Sequence, residues 1–148
     1  MAVRQLILLF LLVASGCRQE EKTVDPGQEQ RFALLREHLK RQLGDKYEAP
    51  VPAASPDQLK RGGELFAKVC AACHGGRGEG KGHVATALAG TPTNLTSPHE
   101  ASFFSEQARL YIIRKGMPGT AMMGWEDVLT EQDILAIYLY IRSLIQYE

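Results

Sequence analysis

Two cysteines and a histidine stand close together in the chain, in the order Cys70-Ala71-Ala72-Cys73-His74. Two thiols at this spacing can each form a thioether with one vinyl group of a porphyrin. The histidine that directly follows the second thiol is then held beneath the iron, where its imidazole serves as an axial ligand. The pentad is therefore typical of covalent attachment of c-type haem.

Other uses of paired cysteines fit this sequence less well. A zinc site needs a further pair of ligands, and the third cysteine of the chain, Cys17, lies far away behind an apolar N-terminal stretch. A thioredoxin-type redox pair follows a strand, whereas Cys70 stands at the end of a predicted helix. A disulfide between Cys70 and Cys73 would close a small, strained ring. We therefore predict one covalent haem c, held by Cys70, Cys73 and His74.

Around this pentad, residues 57–148 resemble the class I monohaem cytochromes c. Gly62, Phe66 and Cys70 recur at steps of four, and in that family this glycine and phenylalanine lie where the first and last helices cross. The resemblance implies an all-α fold, with helices and loops wrapped around one covalent haem. It also implies electron transfer without enzymatic catalysis, and the sequence offers no base–nucleophile pair for covalent catalysis.

The segment 116–125, GMPGTAMMGW, resembles the methionine loop of that family, which supplies the second axial ligand of the iron. The family pattern often reads Thr-Ala-Met-Pro, with an aromatic residue two positions after the proline. Aligning the Thr-Ala pair and Trp125 with that pattern selects Met122 as the ligand. Met123 stands where proline is usual, and Met123 and Met117 remain alternatives.

The glycine-rich segment 75–95 resembles the irregular loop that wraps the histidine side of the haem in the same family. In that loop a backbone carbonyl usually accepts a hydrogen bond from Nδ1 of the ligand histidine. The family often has Gly-Pro where this chain has Gly82-His83, so the identity of the carbonyl is left open. His83 is not expected to bind the iron, because the methionine loop offers a better-placed donor.

Three helices are predicted to position these ligands. The first begins at Ser55, which forms a capping box with Gln58, and runs into the pentad. The second spans about 105–115, and the last, nearly all apolar, begins after Thr130 with Asp133 three residues on. The expected partners of Gly62 and Phe66 on the last helix are Ile137 and Tyr140.

Apolar residues of the second helix region are expected to wall the haem pocket: Phe103, Phe104, Leu110, Ile112 and Ile113. Four residues have polar tips that suit a haem propionate, with ordinary packing as the competing interpretation: Asn94, Tyr111, Arg114 and Trp125.

The N-terminal residues have the pattern of an export signal. After Arg4, nine apolar residues from Leu6 to Ala14 would span about 14 Å as a helix, against roughly 30 Å for a bilayer core. This length is typical of a signal peptide, predicted over residues 1–16. Ala14-Ser15-Gly16-Cys17 resembles a bacterial lipobox, which implies cleavage before Cys17 and its lipidation. A plain signal peptide and an uncleaved anchor are the alternatives.

Residues 17–56 are predicted to be a lipidated tether that places the protein on the periplasmic side of a membrane. Within it, Phe32, Leu35, Leu39 and Leu43 share one face of a helix predicted over 28–43. This helix either docks on a partner or the membrane, or packs on its own domain. Residues 49–56, APVPAASP, are expected to form a semi-rigid spacer, with the domain boundary at its end.

Composition narrows the function further. Lys and Arg number 17 and Asp and Glu number 17 among 148 residues, so the chain lacks the basic excess of a nucleic-acid binder. We predict an electron carrier between a redox protein donor and acceptor of a respiratory chain. The alternatives are a subunit of a larger oxidoreductase, with residues 28–48 as the clasp, and a haem-based gas sensor or peroxidase.

Overall fold

The computed structural model describes residues 26–147, which form six α-helices, two 3-10 turns and no β-strand. The predicted all-α class is confirmed. The predicted signal peptide and Cys17 lie outside the described residues. In chain order the elements are α1 (Pro26–Leu43), a turn at Gly44–Lys46, α2 (Pro56–Val69), α3 (Ala71–His74), a turn at Ala85–Ala87, α4 (Pro98–Ala101), α5 (Glu106–Lys115) and α6 (Glu131–Leu144). Within this part of the chain, no helix combines the length and the apolarity that crossing a membrane requires.

Three of these helices begin where their capping residues predict. Ser55 Oγ accepts a hydrogen bond from the Gln58 amide at 3.2 Å, and the Gln58 side chain accepts one from the Ser55 amide at 3.0 Å. Ser105 caps α5 and Thr130 caps α6 in the same way, each accepting from the amide three residues on. These bonds satisfy amides that a helix start otherwise leaves without partners.

Helices α2 and α6 cross in close backbone contact at Gly62. A Cβ placed there would lie 2.0 Å from the carbonyl oxygen of Ala136, so only glycine fits. Next to the crossing, the rings of Phe66 and Tyr140 pack with centroids 5.4 Å apart. The predicted role of Tyr140 is confirmed, whereas the nearest neighbour of Gly62 is Ala136 rather than Ile137. The backbones meet at the crossing, so the small alanine lies there and Ile137 is buried beside it.

Helix α1 packs on α5 through the apolar face that the sequence predicts. Phe32 and Leu39 are buried there, and the Phe32 ring meets Phe103 and Phe104 edge-on at 5.4 Å. This confirms the self-packing interpretation for that face. We call the buried set the α1–α5 cluster; it consists of Phe32, Leu39, Tyr47, Phe104, Ala108 and Ile112.

The bounds of α1 differ slightly from the prediction. It begins at Pro26, two residues earlier than predicted, because proline is well suited to the first turn of a helix. It ends before Gly44, whose φ of +51° is a conformation that glycine adopts without strain.

Residues 49–55 of the Pro-rich segment form neither helix nor strand, and Pro56 begins α2, but the segment is not a free spacer. Val51 is buried in a cluster that we call the main core, whose other members are Leu65, Phe66, Cys70, Leu110, Ile113, Ile134, Ile137, Tyr138, Leu139 and Ile141. The Val51 amide donates a hydrogen bond to the Glu106 carboxylate at 2.9 Å. The Arg142 guanidinium donates to the carbonyls of Val51 and Pro52 at 3.0 and 2.7 Å. The expectation of a spacer is corrected to this extent, because groups on α5 and α6 bind its backbone. The domain boundary at residue 56 stays a prediction.

The Glu106 carboxylate joins this segment to two helices, and its loss is expected to destabilise the protein. Burial alone would raise the pKa of Glu106, but hydrogen bonds from Val51, Arg142 and Tyr138 outweigh burial and lower it. The ionised group therefore stabilises the fold above its ordinary pKa, and this contribution disappears as the pH falls through the lowered pKa. Glu106→Gln is expected to reduce the free energy of unfolding by about 2 kcal/mol near pH 7.

Denaturant titrations near pH 7 and below about pH 4 test this prediction, since the deficit of the variant should shrink in acid. Glu126→Gln is the matched control, because its partner Lys115 is exposed and such pairs contribute about 0–1 kcal/mol. An equal effect of the two substitutions near neutral pH would contradict the assigned role of Glu106.

Candidate functional site

The pentad occupies the end of α2 and the single turn of α3. The Cys73 and His74 amides both donate to the Cys70 carbonyl, at 3.2 and 3.0 Å, so the two thiols lie one helical turn apart. Both cysteines are free thiols. Burial, and to a smaller extent Cys73, raises the pKa of the Cys70 thiol to about 12. A thiol so buried is protonated at neutral pH, unlike the thiolate of a redox-active pair.

The His74 ring is oriented by a hydrogen bond at one of its two nitrogens. Its Nδ1 lies 3.1 Å from the carbonyl oxygen of Thr93, and because a carbonyl only accepts, Nδ1 must carry the proton. Nε2 then has the lone pair that an iron ligand needs. Burial lowers the pKa of His74, with the Thr93 hydrogen bond opposing, so burial favours the neutral ring. The carbonyl that the sequence leaves open is that of Thr93.

The glycine-rich loop lies directly against the pentad. The Gly82 amide donates to the Cys73 carbonyl at 3.0 Å, and the Val84 amide donates to the Ala72 carbonyl at 3.1 Å. A Cβ at Gly82 would lie 2.1 Å from the Ala72 carbonyl oxygen, so this approach requires glycine. His83 is exposed, in agreement with the expectation that it is not a ligand.

The predicted methionine loop follows α5 and is closed by hydrogen bonds. Gly116 ends the helix at a φ of +80°, and it forms an isolated antiparallel bridge with Met123. The Met117 amide donates to the Met122 carbonyl at 2.9 Å. Thr120 Oγ1 accepts from the Met122 amide at 3.1 Å and donates to the Met117 carbonyl at 2.8 Å. The backbone on both sides of Met122 is thus constrained.

The three methionines of this loop differ in burial. Met123 is 58% exposed, whereas Met122 and Met117 are half-buried and pack against the α1–α5 cluster. A thioether ligand must be shielded from competing water, so the structure favours Met122 over Met123. Met117 stays an alternative.

Two of the four residues proposed to bind a haem propionate have side chains that already bind other groups of the protein. The Arg114 guanidinium forms a two-point ion pair with Glu131. The side-chain oxygen of Asn94 accepts two hydrogen bonds from the threonine two residues on. Trp125 packs against the main core and Tyr111 against the α1–α5 cluster. For all four the observed contacts favour ordinary packing.

The residues expected to wall the haem pocket divide between two apolar clusters. Leu110 and Ile113 belong to the buried core that also contains Cys70. Phe104 and Ile112 belong instead to the α1–α5 cluster, and Phe103 packs against it. Met117 and Met122 of the predicted methionine loop pack against this same cluster, so the expected role of all five residues in the haem pocket stays a prediction.

Tyr138 is, with Glu106 and Arg142, one of the structural residues that the sequence analysis missed. It is completely buried, and its hydroxyl donates to the Glu106 carboxylate at 2.9 Å. A phenol in a nearly all-apolar helix is the available signal, since a buried hydroxyl needs a partner.

A cleft of about 410 Å³ lies elsewhere, lined by residues that include Glu48, Pro50, Phe104, Arg109 and Tyr147. Because none of the predicted haem ligands lines it, this cleft is separate from the candidate site.

Haem c requires two thiols and two axial ligands. The site offers two free thiols one helical turn apart, an imidazole with Nε2 available, and a half-buried thioether on a constrained loop. The donor set therefore fits covalent haem with histidine and methionine as axial ligands, a pair that raises the reduction potential. Among residues 26–147, no three His, Cys, Asp or Glu side chains are grouped as a metal-binding cluster.

Comparison with known proteins relates this chain to a family, to a relative and to a solved structure. The sequence profile of the family described as Cytochrome c matches residues 59–144, more than half of the chain. Cytochrome c55X of Paracoccus denitrificans (strain Pd 1222) is 36% identical over 114 residues, covering 75% of this chain and 92% of that protein. A chain of the Kuenenia stuttgartiensis reducing HAO-like protein complex Kustc0457/Kustc0458 aligns with a TM-score of 0.56 at 21% identity. That alignment covers 70% of this chain and 55% of the solved one, and it concerns the fold.

Proposed function

The chain belongs to the cytochrome c family, in which haem is covalently attached and electrons are transferred, and we propose that it is a monohaem carrier at the periplasmic surface of a membrane. Its partners would be a donor and an acceptor protein of a respiratory chain. The observation that carries this proposal is the pentad, with His74 Nδ1 fixed on the Thr93 carbonyl and Nε2 left for iron.

In this proposal Cys70 and Cys73 form the thioethers, and His74 and Met122 are the axial ligands. Haem iron, when bound, supplies one-electron redox chemistry. The Thr93 carbonyl fixes the imidazole plane and raises its basicity as a ligand. Because both ligands lie on hydrogen-bonded backbone, neither must move far when the charge of the site changes, which keeps the reorganisation energy of electron transfer small.

Replacing Met122 tests the proposed ligation. Met122→Ala is expected to abolish the long-wavelength ferric absorption band that methionine ligation gives. Its reduction potential should fall by on the order of 0.1–0.3 V, within the roughly 0.8 V range that axial ligands span. Optical spectra and a redox titration of purified protein measure both effects.

Met123→Ala is the matched control and should keep the wild-type band and potential. A wild-type band in Met122→Ala would contradict the assignment, and a band that is kept in Met122→Ala but lost in Met117→Ala would transfer the role to Met117.

A second candidate is a cytochrome subunit of a larger oxidoreductase. One solved structure with a similar fold is a chain of a protein complex, which supports this alternative. Since Phe32 and Leu39 are already buried on α5, a clasp over residues 28–48 would have to use the polar face of α1. Native mass measurement of gently solubilised protein separates the two: a free carrier has the mass of one chain, whereas a subunit has the mass of an assembly.

The membrane location depends on Cys17. We expect the wild-type protein to sediment with membranes after export and Cys17→Ser to appear in the soluble periplasmic fraction, because two acyl chains suffice for stable anchoring. Fractionation followed by haem staining measures this. A wild-type protein that is already soluble would indicate a plain signal peptide instead.

A further inference from the structure

We propose that α1 positions the methionine loop, and that its buried residues Phe32 and Leu39 complete the packing that keeps Met122 on the iron. The proposal rests on the proposed function, in which Met122 is the axial ligand. Phe32 and Leu39 are positioning residues in this scheme, since they would act through the loop rather than touch the haem.

A single apolar cluster connects α1 to the loop. Phe32 and Leu39 of α1 are 8% and 1% exposed, and they share the α1–α5 cluster with Ala108 and Ile112 of α5. Four partly buried side chains from the two sides pack against this same cluster: Leu35, Leu43, Met117 and Met122. The residue proposed to bind iron therefore depends on a packing unit that α1 helps to build.

The hydrogen bonds of the loop do not replace this packing. They hold backbone atoms, with Met122 bonded through its amide and its carbonyl and Met123 through the bridge to Gly116. A methionine side chain has three rotatable bonds and only a weakly accepting sulfur. Its position is thus set by apolar contacts, and these are made with the α1–α5 cluster.

Helix α1 is fixed to the domain at its C-terminal end. The turn after it leads to Tyr47, which is buried in the α1–α5 cluster, and then to Val51, which is buried in the main core. Hydrogen bonds to Glu106 and from Arg142 hold Val51 in place. This attachment fits a structural part of the redox domain better than a passing tether.

The histidine side of the site has separate supports. Cys70 belongs to the main core, and His74 is fixed by Thr93. Weakening the packing of α1 should therefore leave the covalent attachment and the histidine ligand intact while loosening methionine alone. This selectivity separates the proposal from a general loss of stability.

Competition by added imidazole measures how strongly methionine is bound to the iron in the full-length holoprotein. Leu39→Ala is expected to increase the affinity of the ferric protein for added imidazole by about tenfold or more, because imidazole must displace methionine from the iron. Leu34→Ala, the same substitution on the same helix at a side chain 69% exposed, should bind imidazole like the wild type. Of these two variants, only Leu39→Ala should have a lower reduction potential than the wild type.

Two further variants decide between the explanations. Ile134→Val creates a small cavity at a completely buried position of α6 and should lower stability without altering imidazole affinity; an increase as large as that of Leu39→Ala would overturn the proposal. If Leu39→Ala does not fold, Leu35→Ala carries the test with an expected increase of several fold. Wild-type affinity in a folded Leu39→Ala, or in Leu35→Ala where that variant carries the test, overturns the positioning role.

Met122→Ala distinguishes a failure of this proposal from a failure of the ligand assignment on which it rests. If Met122→Ala binds imidazole more tightly than the wild type while Leu39→Ala does not, the ligand assignment holds and the role of α1 fails. If Met122→Ala retains the wild-type affinity, Met122 is not the ligand and both proposals fail.

Discussion

Protein that carries serine in place of both Cys70 and Cys73 is expected to contain no covalent haem. A hydroxyl does not form the thioether bond, and the one remaining cysteine, Cys17, is far from the pentad in the sequence. Intact-mass analysis of protein from a host that matures c-type cytochromes measures the result. The wild type should carry the mass of one haem and the double variant none.

The third cysteine provides the control for this experiment. Cys17→Ser removes a thiol without touching the pentad, so it should retain one haem and lose only the lipid. Haem mass on the double variant would contradict the assignment of the thioethers, and a second haem mass on the wild type would contradict the monohaem proposal.

The features that sequence predicts well are local. The pentad is five consecutive residues, and the capping bonds of Ser55 and Thr130 join residues three apart, so both can be read without knowing the fold. The carbonyl that binds His74 could not be predicted in this way. Thr93 is 19 residues further along the chain, and it reaches the ring only because an irregular loop returns to the pentad.

The sequence predicts which face of a helix is buried more readily than it predicts which residues cover that face. The apolar spacing in α1 predicts that Phe32 and Leu39 are covered, but it contains no information about which surface covers them. The segment around Val51 has the composition of a linker, and only the distant Glu106 and Arg142 hold it on the domain. In both cases the missing information is a contact between residues far apart in sequence.

The two sides of the candidate site are supported by different forces. On the histidine side, Thr93, Gly82 and Val84 make hydrogen bonds to the pentad. On the methionine side, the Met122 side chain rests on apolar contacts, which lose strength gradually as packing is disturbed. Substitutions that disturb packing should therefore alter methionine ligation before histidine ligation.

The crossing of α2 and α6 allows a stability prediction with a control on the adjacent residue. Gly62→Ala is expected to lower the free energy of unfolding by about 3 kcal/mol. The new methyl group would lie 2.0 Å from the Ala136 carbonyl oxygen and 2.8 Å from Tyr140 Cβ, and relief would require the two helix backbones to move apart. Denaturant unfolding of the holoprotein, followed by the fluorescence of its single tryptophan, Trp125, measures the loss.

Gly63→Ala is the control because it makes the same chemical change one residue later in the same helix. Its methyl group would meet the edge of the Tyr140 ring at 3.1 Å, and a ring on the surface of the contact can turn aside. Both substitutions gain the same helix propensity, up to about 1 kcal/mol, so this term cancels in the comparison. The difference between the two variants therefore reports the backbone contact at Gly62 alone, and two equal effects would show that the helices do not cross there.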